Sequence, residues 1–322
     1  MHQRSFAEME FEGKRKVTRR ERFLGAIEAV TPWAELAEQI EPFYPKGGGR
    51  GRPPIGLQRM LRMTIAQQCF GLSDEGTEDA LYDSQALRQF VGIDLAREDA
   101  PDATTLLKFR RLLEAHRLTE RIFAAINAHL TERGLILKEG TVVDATIIAA
   151  PSSTKNREGR RDPEMHQTRK GDQWHFGMKA HIGADMDTGL VHSLATTPAN
   201  AADVTCAHAL LHGEERLALG DAGYRGVDKR PENQGQAVQW EVALRPGQRR
   251  ALPKNRAGRQ AERIEQLKAR VRALVEHPFH WIKNIFGLKK VRYRGLAKNT
   301  AQLFTLFALA NLMIAKRWLL AP

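Results

Sequence analysis

Cysteine is nearly absent. Cys69 and Cys206 are the only two among 322 residues, and neither sits in a CxxC pair or beside paired histidines. A disulfide framework and a zinc finger are both excluded, and such sparse usage fits a reducing cytoplasm. Long apolar runs are missing as well. The most apolar stretch, Ala301 to Ala315, falls short of the roughly 20 residues a membrane helix needs and includes Gln302, Thr305 and Asn311. It reads as a buried helix. The opening residues MHQRSFAEMEFEGKRK lack the apolar stretch of roughly 7 to 15 residues found in a signal peptide, so the expectation is a cytoplasmic protein with no membrane partner. Acids are in short supply: 38 Asp and Glu face 50 Lys and Arg, a net charge of +12. A field of that sign attracts polyanions, which puts nucleic acid first among partners. Hydrophobic residues at 42% and charged residues at 27% are ordinary for a globular chain and exclude wholesale disorder and collagen.

From Arg19 to Arg133 apolar residues recur at three- and four-residue spacing with few β-branched runs, which predicts an all-helical module. Phe23, Ile27 and Val30 make one face; Leu57, Leu61, Ile65 and Cys69 make another. Asp102 reads as an N-cap to the amphipathic stretch ATTLLKFRRLLEAH, and another helix is expected over Thr119 to Glu132, before Gly134. Between two of the helices, KGGGRGRPP at 46–54 is a basic loop. After Gly140 the period changes. Thr141 to Ile148 is a β-branched run, and His175–Ala184 with Leu190–Thr196 reads as a hairpin around Asp187-Thr-Gly189. A helix over Ala201–Leu211, strands at Arg216–Leu219 and Val238–Leu244, and a helix over Glu262–Val275 follow. That order implies an α/β unit, a mixed sheet covered by helices. Residues 151–173 are too charged to pack, and a mobile loop is expected there.

Three carboxylates stand out. Asp144 interrupts the apolar run VVDATII, where a charge is costly unless exposed or neutralised. Asp221 follows the short strand in GDAGYRG, and Glu276 ends the helix that begins near Glu262. Acids from two strands and a helix can converge at a sheet edge and offer hard oxygen ligands suited to Mg²⁺, although acids at strand ends also serve as simple caps and turn formers. Arg272, four residues before Glu276, shares its helical face; Lys283, seven after it, does so only if Pro278 leaves the helix straight.

The segments VVDATII, GDAGYRG and Arg272-(3)-Glu276-(6)-Lys283 resemble the DDE transposases of bacterial insertion sequences, specifically the insertion sequence 5 family. The leader segments PWAELAEQIEPFYP, RGRPP, LYDS and DATTLLKFR are similar to that family's N-terminal domain. Where the wider superfamily carries a Tyr ahead of the Arg, this chain has Ala269. The resemblance implies a ribonuclease H-like catalytic domain over residues 137–322, with Asp144, Asp221 and Glu276 as catalytic and metal-binding residues. It implies an α-helical N-terminal domain over 1–136 that helps recognise DNA ends. The implied cofactor is Mg²⁺, with Mn²⁺ able to substitute. The implied partners are the element's terminal inverted repeats and target DNA, bound by a homo-oligomer in the bacterial nucleoid. A ribonuclease H-like nuclease that cuts without joining, and a DNA-binding transposase remnant, are the alternatives.

Basic residues supply the remaining candidates. From Arg245 to Lys298 sixteen Lys or Arg face three Glu, an asymmetry expected beside a phosphodiester backbone. The resemblance gives Arg272 and Lys283 the role of holding DNA phosphates. Arg292, Arg294 and Lys298, in the turn-rich VRYRGLAKN, are further phosphate candidates, and Arg50-Gly-Arg52-Pro53 matches the core of a minor-groove hook. Asp185 and Asp187 are expected to be turn residues, and Trp240 core.

Overall fold

The computed structural model describes residue 11 and residues 13–47, 53–235 and 237–321. Arg50 and Arg52 lie outside the described residues. The chain divides into two compact units. One extends to Ile126 and takes in the chain from Ala315 onward; the other is Asn127–Ile314.

The first unit is helical: α1 (Arg19–Val30), α2 (Trp33–Ile40), α3 (Leu57–Phe70), α4 (Asp74–Asp83), α5 (Gln85–Val91), α6 (Ala103–Ala115) and the first part of α7 (Leu118–Glu132). Its helix ends are set by local chemistry. Thr18 and Glu21 form a reciprocal capping box at α1, Asp102 accepts from the Thr105 amide at 2.7 Å to start α6, and left-handed glycines at 71 and 92 end α3 and α5. The apolar faces read from the sequence turn inward: Ile27, Leu36, Ile40, Leu61, Ile65 and Cys69 are buried.

The second unit carries a six-stranded sheet of β1 (Gly140–Ala149), β2 (His166–Lys170), β3 (Gln173–Asp185), β4 (Val191–Pro198), β5 (Leu217–Gly220) and β6 (Gln239–Val242). β1 pairs antiparallel with β3 and β3 antiparallel with β4; β5 then lies parallel to β1 and β6 parallel to β5. The resulting path, β4-β3-β1-β5-β6, is a ribonuclease H-like sheet, with three antiparallel strands followed by two parallel ones. Val143 on β1 packs with Ala207, Leu210, Tyr224 and Val227, and Trp240 rests partly buried against that cluster. After β6 come α8 (Arg256–Arg272), a 3₁₀ turn (Ala273–Val275), the short helix α9 (Glu276–His280), a π-turn (Trp281–Ile285) and finally α10 (Leu296–Leu319). Pro278, which cannot donate to the Leu274 carbonyl, stands where the regular ladder gives way. No helix among the described residues is long and apolar enough to cross a membrane.

Two expectations are corrected. Residues 151–173 are not a featureless loop, because β2 forms within them and makes a hairpin with β3 across Gly171-Asp172. The Ala201–Leu211 segment is a 3₁₀ helix, Asp203–Leu210, and not an α-helix.

Ala301–Ala315 is buried within α10 as its composition implied, and its one fully buried amide has a structural task. Asn311 accepts from the Val191 amide at 2.9 Å and donates to the Val191 carbonyl at 2.7 Å, clamping the first residue of β4. Asn311→Leu keeps the volume but leaves both backbone groups unmatched, at about 1–3 kcal/mol each. Chemical denaturation of this variant is expected to show a loss within that range or above it; a loss under about 0.5 kcal/mol would rule the clamp out.

Candidate active site

β1 and β5 are parallel neighbours, paired from Gly140↔Leu217 to Val142↔Leu219, so both strands run to the same edge of the sheet. Asp144 lies two residues past the last pair on β1, and Asp221 directly follows β5 at Gly220. Glycine is required at 220: a Cβ there would stand 2.9 Å from the Tyr224 Cβ, so the chain can fold back tightly behind Asp221 only without a side chain. Asp221 then caps that turn, accepting from the Gly223 amide at 2.8 Å.

The two aspartates feel one another. Burial pushes the Asp144 carboxyl up to about 6, and repulsion from Asp221 and Asp203 acts in the same direction. The Ala145 amide, donating at 2.7 Å, and the Arg272 guanidinium oppose the rise. Asp203 was not foreseen. It heads the 3₁₀ helix after β4 and binds Lys179 at 2.8 Å, with the ring of buried His181 at 3.8 Å. Tyr224 lies beside all of these acids; burial first, and then the charges of Asp203, Asp144 and Asp221, hold its phenol well above its ordinary value. Its buried hydroxyl has no hydrogen-bond partner among the described residues.

Glu276 opens α9 one helical turn beyond Arg272. It lines an open cleft of about 600 Å³ together with Thr146, Phe279, Trp281 and Lys283. Thr146 is two residues from Asp144 and therefore on the same face of β1. Lys283 donates to the Thr146 hydroxyl at 2.6 Å. Its ammonium is held below the usual lysine range by burial and by the nearby charge of Lys170. Arg272 forms no ion pair among the described residues, while Glu265 is engaged by Lys268 at 3.2 Å. Of the other phosphate candidates, Arg294 pairs with Glu158 at 2.5 Å, Arg292 and Lys298 are exposed, and partial burial holds the Arg292 guanidinium below its usual range.

These three acids keep acceptor capacity that the turn-forming acids of the same unit have spent. Asp144 and Asp221 each accept one local amide, and Glu276 accepts none among the described residues. Asp185, by contrast, takes the amides of Leu137, Lys138, Asp187 and Thr188, as a turn former should. Glu215 is likewise occupied, by the His212 and Gly213 amides and the Thr141 hydroxyl, inside a cluster with His192 and His212. Among the described residues the group that brings its ligand atoms within 4.8 Å of one another is His192, His212 and Glu215, and Asp144, Asp221 and Glu276 do not form such a group.

Residues 136–312 match the family described as the transposase DDE domain. The chain belongs to that family. Residues 11–112 match a second transposase domain family, DUF772. No solved structure matches the chain. The protein is thus a transposase, a DNA-binding enzyme that cleaves nucleic acid with divalent metal. Its matched DDE domain covers every strand of the sheet and includes Asp144, Asp221 and Glu276.

Proposed function

We propose that this transposase belongs to the insertion sequence 5 family, cuts DNA at the ends of its element and joins the freed 3′-hydroxyl to target DNA. The observation that carries the reading is the set Asp144, Asp221 and Glu276, acids with open lone pairs supplied by β1, the end of β5 and α9. Asp144 and Asp221 would hold Mg²⁺ from the strand side and Glu276 from the helix side. Once bound, the ion supplies activation of the attacking oxygen and stabilisation of the leaving oxygen in an in-line displacement at phosphorus. Arg272 beside Asp144 and Lys283 beside Thr146 would hold the flanking phosphates, orienting the scissile bond. No protein nucleophile is needed. The helical unit, with Arg50 and Arg52 in its basic loop, would recognise the terminal inverted repeats, and a homo-oligomer would bring two ends together in the nucleoid.

A strand-transfer assay tests the reading, using the full chain, Mg²⁺ and a duplex of the DNA that borders the gene. Joined products support it. Cut but unjoined DNA favours a ribonuclease H-like nuclease, and bound but uncut DNA favours a remnant.

The phosphate role has its own signature. Arg272→Ala and Lys283→Ala are each expected to weaken binding across sequences and to lower the salt slope of log affinity by about one unit. Were either cation structural instead, its alanine variant would melt earlier and keep the wild-type slope. Melting temperature and salt-dependent affinity, measured on one preparation, distinguish the two.

A further inference from the structure

The outer end of the β2–β3 hairpin carries none of the three acids of the site just described, yet its surface is unusual. Its tip is the two-residue turn Gly171-Asp172, with Lys170 opposite Gln173 and Arg169 opposite Trp174. Gly171 adopts φ 60, the left-handed value that tight hairpin turns reserve for glycine. Trp174 is 67% exposed, the highest value among the exposed large hydrophobics. A hairpin with no apolar core of its own is an odd place for an indole unless it has a partner.

Charge indicates which partner. Across residues 151–175 the acids are all engaged. Glu158 pairs with Arg294, Asp162 and Glu164 accept the Gly295 and Leu296 amides at 2.7 and 2.6 Å, and Asp172 binds Arg169 at 3.1 Å. The exposed cations Lys155, Arg157, Arg160 and Lys170 have no ion-pair partner among the described residues. Arg157, Arg160, Arg292 and Tyr293 line a cavity of about 410 Å³ between this segment and residues 291–294. The positive surface is continuous with the candidate site, since Lys170 lies close enough to Lys283 to act on its charge.

We propose that the β2–β3 hairpin is a DNA-holding arm, with Trp174 packing its indole against the duplex several base pairs from the phosphate at the acids. The inference rests on the reading of Asp144, Asp221 and Glu276 as the cutting site. The register supplies a distance. Asp144 stands opposite Ile182 on β3, eight residues from Trp174 along a strand that rises about 3.3 Å per residue. The separation is therefore at most about 27 Å. Strand twist and the approach of Lys170 to Lys283 shorten it, giving about five to eight base pairs at ~3.4 Å each. Trp174 contributes stacking or sugar contact; Lys170 contributes charge.

The test uses the full chain and a duplex of the DNA that borders the gene, substituted singly with 5-iodouracil. Trp174→Ala is expected to weaken binding about tenfold with an unchanged salt slope, Trp174→Phe to recover most of that loss, and Lys170→Ala to lower the slope by about one unit. Photocrosslinks to Trp174 are expected five to eight base pairs from the phosphate that the wild-type protein cuts. Affinities unchanged in all three variants overturn the proposal. So does a crosslink at the cut phosphate itself, and so does altered sedimentation of DNA-free Trp174→Ala with DNA affinity intact, which would make the tip a contact between copies. Asp144→Asn separates the two readings. If that variant still cuts while Trp174 crosslinks, the acid assignment fails and the arm stands; if it is inert while hairpin variants bind normally, only the arm fails.

Discussion

Asp144→Asn, Asp221→Asn and Glu276→Gln are each expected to reduce DNA cleavage by at least about 10³-fold, while DNA affinity in EDTA stays within a few fold of wild type. Each substitution replaces one carboxylate oxygen by an amide nitrogen of the same size, so packing is preserved and only the charge and a hard ligand are lost. The asymmetry between cutting and binding is the informative part. Phosphate contacts from Arg272 and Lys283 do not depend on the acids, so binding should survive. Residual cleavage above about one part in ten by any of the three variants, in Mg²⁺ and at matched protein concentration, would remove that residue from the metal-holding set.

Asp144→Asn is also expected to stabilise the metal-free protein at neutral pH. Burial and the neighbouring acids raise the Asp144 carboxyl from an ordinary 3.8 to about 6, so the folded state holds this proton more tightly than the unfolded chain does. The stabilising contribution is complete below about pH 3.8 and is lost as pH climbs through 6. Above that point the buried charge costs up to about 3 kcal/mol. The amide carries no such charge, so in EDTA at pH 7.5 the variant should melt several degrees higher than wild type, with the gap closing by pH 4. Mg²⁺ should narrow the gap at pH 7.5 by compensating the wild-type charge. A variant that melts below wild type at pH 7.5 in EDTA would show that the site does not strain the fold.

Asp144 and Asp221 stand out in the sequence because each interrupts a strong local pattern, while Glu276 stands out only through its spacing from Arg272 and the family resemblance. A carboxylate inside TVVDATII has to be exposed or neutralised, and Gly220 and Gly223 frame Asp221 as a turn. The succession of strands along the chain was readable from the β-branched runs and a hairpin signal at Asp187-Thr-Gly189, whereas their pairing order was not. The hairpin at 166–175 escaped the same reading because HQTRK is polar on both faces, so the partner strand of QWHF shows no apolar alternation of its own. Its one signal was Gly171-Asp172, a two-residue turn dipeptide between short runs. Asp203 was invisible for another reason. It sits in a stretch with helical composition, and its proximity to Asp144 arises only because β3 places Lys179 opposite Ile147 and draws Asp203 toward the site. Pro278 did announce an irregular helix, yet the sequence could not say that a 3₁₀ turn and a π-turn would bracket α9.

The parallel pairing of β1 with β5 has a consequence for how the chain is made. During synthesis β1 leaves the ribosome first and can zip at once onto β3 and β4, which follow it closely. Asp221 emerges 77 residues after Asp144, and Glu276 another 55 after that. Most of the DDE domain is therefore outside before its third carboxylate exists. If the proposed arm and acids hold, a nascent chain that already exposes the basic hairpin would meet DNA before it could cut it. On the proposed assignment of the acids, their order along the chain would delay cutting until nearly the whole domain has been made.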